Sequence, residues 1–233
     1  MSLLDWIYPP KCVACKMLLP LVHNAPKHWI CEQCKPLFTA ISEPYCKVCG
    51  HPGLPCASCY GKTFDFEYNR AVFTYKDTVR DLIHKIKFQG QKQAAFALGD
   101  LMAKELTVIG DYVIPVPLHK SKKRSRGFNQ AAVLARPLSK SLNIPMSEDM
   151  LLRVKNTMPQ SLLTSQARED NLTGAFAYNQ KKYKTPPDTL ILLDDIFTSG
   201  ATMNACAKVL KNNGVRRVIC VSLSIALKEV DQE

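Results

Sequence analysis

Eight of the ten cysteines fall in the first 59 residues as four Cys-x-x-Cys pairs: Cys12/Cys15, Cys31/Cys34, Cys46/Cys49 and Cys56/Cys59. A Cys-x-x-Cys turn aims two sulfurs at one centre, and two such turns complete a tetrahedron of thiolates around zinc. Cys12 to Cys34 reads C-x2-C-x15-C-x2-C, the zinc-ribbon spacing, and Cys46 to Cys59 reads the tighter C-x2-C-x6-C-x2-C. The expectation is two structural zinc ions held by sequential pairs. Spacing alone leaves crossed pairing open (first with third, second with fourth). Disulfides would need an oxidising compartment. The N-terminal "MSLLDWIYPPKC" has neither the basic start nor the long apolar run of a secretory signal, so a cytoplasmic location is expected. A thioredoxin-like redox role would place one such pair beside a βαβ unit, not four in a row. So short a segment, with its prolines, builds little core; metal would supply folding free energy on the order of 10–16 kcal/mol per site. With eight thiolates available, His23, His28 and His51 are spare and read as surface residues.

The rest of the 233-residue chain has a different texture. Apolar residues make up 46%, enough for a sizeable core, and no run reaches the roughly 18–20 apolar residues of a membrane helix. The expected division is residues 1–62, the cysteine module, and 63–233, one α/β domain. "YNRAVFTY" (68–75) reads as a strand. Asp77 then looks like an N-cap for "TVRDLIHKIKF", whose apolar residues recur at helical spacing. A second helix is expected over about 93–106, a strand over 111–118 and a helix over 127–142. A short strand follows at 150–156, then a polar excursion at 160–176. The chain ends strand–helix–strand: "TLILLDD", "ATMNACAKVLKNNG" and "RRVICVSLSIAL". Cys206 and Cys220 sit in these apolar segments and read as core. Alternating strands and helices imply a mostly parallel sheet with helices on both faces.

Within that pattern, "TLILLDDIFTSGATM" (189–203) concentrates the chemistry. A buried strand ends in Asp194 and Asp195, and a hydroxyl- and glycine-rich turn leads into a helix. Ligands of open parallel sheets sit off the carboxyl ends of strands. A helix N-terminus offers unpaired N–H groups and a favourable dipole to an anion. A free phosphate beside two carboxylates would be repelled. A sugar phosphate resolves the conflict, with ring hydroxyls on the acids and its phosphate in the turn. The plainer alternative is that Asp195 caps the helix and Asp194 is a solvated strand end. Neither G-x-G-x-x-G nor a Walker A sequence is present. Net charge is +11, and between Pro115 and Thr185 stand 13 Lys/Arg against 4 Asp/Glu. Such a surplus is either a solvated basic face or the footprint of a phosphate-rich ligand.

"LILLDDIFTSGATM" resembles the phosphoribosyl-pyrophosphate motif of type I phosphoribosyltransferases. "VRDLIHKIKFQG", "IPVPLHKSKKRSRGFNQAAVLA" and "RVKNTMPQSLLTSQAREDNLTGAF", with the paired cysteines of a double zinc ribbon, resemble blocks of the ComF family, the ComFC competence proteins. The resemblance implies a parallel-sheet phosphoribosyltransferase fold binding phosphoribosyl pyrophosphate with magnesium. Asp194 and Asp195 would hold the ribose hydroxyls and be the candidate catalytic residues of a working enzyme. Thr198, Ser199, Gly200, Ala201 and Thr202 would hold the 5-phosphate. His119 and Lys120 correspond to the pyrophosphate loop. Arg124 and Arg126, in the basic stretch, are assigned to pyrophosphate or nucleic acid, since an arginine fork matches phosphate oxygens. Residues 157–174 correspond to a mobile loop with Arg168 as its charged contact. The family's implied role is natural transformation, handling incoming single-stranded DNA beside a helicase-like competence ATPase (ComFA type). Phe128 and Tyr183 are the aromatic candidates for base stacking in the basic segment. Two alternatives stand beside that role: an active transferase of nucleotide salvage with an unidentified acceptor, and a scaffold whose zinc module docks the ATPase.

Overall fold

The computed structural model describes residues 9–20, 29–157 and 171–227. Its centre is a four-stranded, all-parallel sheet of β1 (Tyr68–Thr74), β6 (Arg217–Ile225), β5 (Thr189–Phe197) and β2 (Tyr112–Pro115), in that order. β5 is buried from Thr189 to Leu193 and pairs on both edges, Leu190 with Tyr112 and Val218, Leu192 with Ile114 and Cys220. A continuous apolar run suits a strand covered on both faces. Side chains alternate: Ile191 and Leu193 enter one apolar cluster, Leu190 and Leu192 the other.

Three helices cover the first face: α1 (Asp77–Gln89), α2 (Lys92–Lys104) and α4 (Gln130–Leu142). α5 (Ala201–Asn212) covers the second, beside an antiparallel pair of β3 (Leu151–Arg153) and β4 (Phe176–Tyr178). α2 and α4 pack closely because Gly99 lies against Leu134, where an added Cβ would stand 2.6 Å from the Leu134 carbonyl oxygen. After β2 the first helix to pack on the sheet, α4, lies on one face, and α5, which follows β5, lies on the other. The crevice at the carboxyl ends of these neighbours is therefore a topological switch point.

The cysteine segment is built into this core. Val13, Leu19 and Ile30 join the first cluster, and Ile41, Cys46 and Cys49 the second. Residues 41–50 also run along the outer edge of β1. Ile41 N donates to Val72 O, Asn69 N to Val48 O, and Asn69 Nδ2 to Cys49 O at 2.7–2.8 Å. At Gly50 an added Cβ would stand 2.7 Å from Ala71 N, so only glycine admits this approach.

Three local expectations are corrected. Asp77 does not cap α1; Lys76 is the cap residue, and Asp77 itself takes φ +46°. The basic stretch is helical: α3 spans Lys120–Arg126. His51 is buried, not on the surface: its Nδ1 lies 2.8 Å from Pro52 O and its carbonyl accepts from Cys46 N. His23, His28, Arg168 and most of the expected loop at 157–174 lie outside the described residues.

Candidate functional site

At the carboxyl end of β5 the chain lines a cleft of about 530 Å³. The period-two alternation of β5 turns its two acids to opposite faces of the sheet. Asp195, 6% exposed, meets the first helix layer: Lys87 Nζ of α1 lies 2.9 Å from its Oδ2, and Gln130 Nε2 of α4 donates to the same oxygen at 3.4 Å. Asp194 turns the other way, toward Cys206 of α5 and Arg153 of β3, and accepts from Asp195 N at 2.8 Å. Burial, reinforced by the neighbouring Asp195 charge, pushes the Asp194 carboxyl up to about 8. Neither acid behaves as a solvated strand end. Asp195 does not cap α5 either, since Gly200 is the cap residue there and makes no side-chain cap bond.

The opposite wall is cationic. α3 carries no buried residue; its ends are set by His119, whose ring accepts from Ser121 N, and by Gly127 in the left-handed region. One turn apart, Lys122 and Arg126 face the cleft, while Arg124 stays exposed and His119 and Lys120 are not among the lining residues. Burial, with the charges of Arg153 and Arg126 nearby, lowers the Lys122 ammonium. The "RGFNQ" block now has a physical reading. Gly127 ends α3, and Phe128 is buried under Lys92. Asn129 caps α4 by accepting from Ala131 N at 3.1 Å, and ties it to the end of β2 by donating to Val116 O at 3.0 Å. Arg126 Nη1 donates to Gln130 Oε1 at 3.2 Å, and Gln130 reaches Asp195.

The loop between β5 and α5 closes the third side. Thr198, Gly200 and Thr202 line the cleft; Ser199 Oγ accepts from Ala201 N at 3.4 Å. Gly200 has φ +82°, and an added Cβ would stand 2.8 Å from Phe197 and 2.9 Å from Phe64. Phe64, Phe66 and Phe197 pack ring on ring beneath it. The structure thus brings Asp194, Asp195, Thr198, Gly200, Thr202 and Arg126 to one cleft. Sequence reasoning did not name Tyr75, Lys87, Phe88 and Lys122, which line it too. The one available signal was the i, i+4 spacing of Lys122 and Arg126.

The cysteines form two clusters, Cys12/Cys15/Cys31/Cys34 and Cys46/Cys49/Cys56/Cys59, each with its sulfurs within 4.8 Å of one another. Pairing is sequential, not crossed. A zinc–thiolate tetrahedron has edges of about 3.8 Å. The Cys15–Cys31 and Cys56–Cys59 edges are 3.7 Å, and Cys46–Cys59 and Cys49–Cys56 are 3.5 Å. Burial raises the Cys12 thiol, but backbone N–H groups of Cys15, Cys31 and Ala14 outweigh it and hold it at about 6. Donors already aimed at a sulfur suit a bound thiolate, so the residues fit two structural zinc ions.

Residues 3–62 match the double zinc ribbon domain. Competence protein F of Haemophilus influenzae is 28% identical over 220 residues, covering 89% of this chain and 93% of that protein. The DNA utilization protein YhgH of Escherichia coli K12 is 30% identical over 223 residues, 90% of this chain and 94% of its own. The chain belongs to the competence protein F and YhgH family. Among solved structures, an allosteric regulatory enzyme of purine biosynthesis aligns with 57% of this family member and 26% of its own length, at 21% identity and a TM-score of 0.39. Among the described residues of this family member, no helix is long and apolar enough to cross a membrane.

Proposed function

We propose that this competence-family protein binds phosphoribosyl pyrophosphate with magnesium in the β5 cleft and acts in handling incoming single-stranded DNA in the cytoplasm, beside a helicase-like ATPase. The observation that carries the ligand reading is the convergence of three chemistries on one cleft: two acids, a hydroxyl–glycine turn at a helix N-terminus, and the cations Lys122 and Arg126. Each matches a different part of one molecule. Asp194 and Asp195 accept the ribose hydroxyls, and Lys87 and Gln130 hold Asp195 for that contact by one oxygen. Backbone N–H groups and hydroxyls of Thr198–Thr202 take the 5-phosphate. Lys122, held down by burial and by the charges of Arg153 and Arg126, gains from the pyrophosphate, and the Arg126 guanidinium matches its oxygens. Magnesium supplies charge neutralisation of the pyrophosphate, and the two acids are its nearest hard-oxygen donors. The DNA-handling reading rests on the relatives' names and the basic surplus.

A second reading, a working transferase, is favoured by both acids standing in an open cleft. There, leaving-group charge would be met by Lys122 and Arg126 as the sugar gains oxocarbenium character. Calorimetry with phosphoribosyl pyrophosphate and magnesium tests the first reading. The wild type should bind and the Asp194→Ala/Asp195→Ala double variant should not. Equal heats from both proteins would remove it. Pyrophosphate release that requires an added base would favour the second. Transformation surviving in the double variant would separate the ligand from DNA uptake.

A further inference from the structure

A second concavity, of about 870 Å³, lies on the outer side of the first helix layer, with no lining residue in common with the β5 cleft. Its walls are two helical stripes. On α2, Lys92, Phe96 and Lys104 recur with a period of four or eight; on α4, Arg136 and Lys140 stand one turn apart. The close approach at Gly99 brings the stripes together. Trp29, from the first cysteine ribbon, lines it too. Beyond Phe96 the depression continues to Lys35 of the same ribbon.

Its composition is unusual for a solvated helix face. Phe96 is 41% exposed although its helix neighbours Ala95 and Ala97 are buried. Four cations line the groove; Lys104 pairs with the lining carboxylate Asp100 at 2.9 Å and Arg136 with Glu148 at 3.4 Å, which leaves Lys92 and Lys140 as the cations without a carboxylate among the described ion pairs. The exposed ring of Phe96 and the half-buried ring of Trp29, set among cations, match a polyanion that also carries flat apolar faces. An acidic peptide supplies such faces only where it carries aromatic side chains, whereas a nucleic acid sets one beside every phosphate. The residues named in the sequence for stacking are placed otherwise. Phe128 is buried, and the Tyr183 hydroxyl is engaged by Asp149 at 2.6 Å.

We infer that the groove between Trp29, α2 and α4 binds single-stranded nucleic acid, with Trp29 and Phe96 stacking bases and Lys92, Lys104, Arg136 and Lys140 contacting phosphates. The inference rests on the DNA-handling reading and gives it a surface separate from the sugar-phosphate cleft. The contact is sequence-neutral, because every base offers a ring face.

The test uses the full chain and a fluorescently labelled oligo-dT, with an abasic oligomer of equal length for comparison. Phe96→Ala, with its thermal midpoint unchanged, should weaken oligo-dT binding about tenfold and abolish the preference over the abasic strand. Lys140→Ala should weaken both strands alike and lower the slope of log affinity against log salt by about 0.7. If the wild type binds oligo-dT and these variants bind it equally well, the groove is not the interface, while the DNA-handling reading stands. If the wild type binds neither strand, that reading fails and takes the inference with it. Variants that keep DNA binding but lose capture of the ATPase would make the groove a protein dock and overturn the inference.

Discussion

At the scale of single residues, Asp194 carries the sharpest conflict between stability and ligand chemistry. Its carboxyl is raised to about 8 by burial and by Asp195, whereas in the unfolded chain it ionises near 4. Between those values the folded protein holds a proton that the unfolded chain has released. Stability therefore falls as pH rises through this window; the penalty is absent below about pH 4 and complete above about pH 8. Asp194→Asn removes the charge and keeps the oxygen that accepts from Asp195 N. Denaturant melts should show the variant more stable than the parent by a few kcal/mol at pH 8 and by less at pH 5, with ligand binding lost. A gain independent of pH would refute the account. The adjacent acids were legible in the sequence because they end an unbroken apolar run. Their opposite facing follows from strand periodicity. Lys87, by contrast, could not be read as their partner: it sits 108 positions earlier, on a helix whose docking only the folded chain fixes.

Whole elements were legible where apolar periodicity marks them, as for β5, α1, α4 and α5. α3 escaped because "KSKKRSR" has no apolar residue to place on a face. It is helical because His119 caps one end and Gly127 turns the other. The same element supplies two of the cleft's cations, of which the sequence reading named Arg126 and missed Lys122. The joint between α3 and α4 depends on Asn129, which caps α4 and also anchors it to β2. Asn129→Ala should cost about 1–2 kcal/mol in denaturant melts through the lost cap and tether. It should also weaken phosphoribosyl pyrophosphate binding, because Gln130 and Arg126 lose their fixed positions. Asn129→Ser restores the cap alone. It should therefore recover stability more fully than affinity, a split that a purely structural role would not produce.

For the molecule as a whole, the cysteine spacing revealed the ribbons but not their place in the fold. Local ligand geometry is written in sequence separation; docking against β1 depends on backbone contacts that spacing does not encode. β1 is an edge strand, and exposed edges invite mispairing. Here residues 41–50 cover it, through Ile41 N to Val72 O, Asn69 N to Val48 O and the close seat of Gly50 on Ala71. The second cysteine cluster also contributes Cys46 and Cys49 to the core on the α5 side of the sheet. Loss of metal there should therefore reach the sheet and not stop at the ribbon. Cys49→Ser, compared with Cys15→Ser in the exposed corner of the first cluster, separates the two cases. Hydrogen exchange should show Asn69 and its β1 neighbours losing protection in Cys49→Ser, with β5 and β2 the last to follow, because β5 is paired on both edges. Cys15→Ser should leave the Asn69 amide protected, since its acceptor, Val48 O, belongs to the second ribbon. Unchanged protection of β1 in Cys49→Ser would mean that the strand holds its edge without the second ribbon's metal, and that this cysteine cluster stabilises only itself.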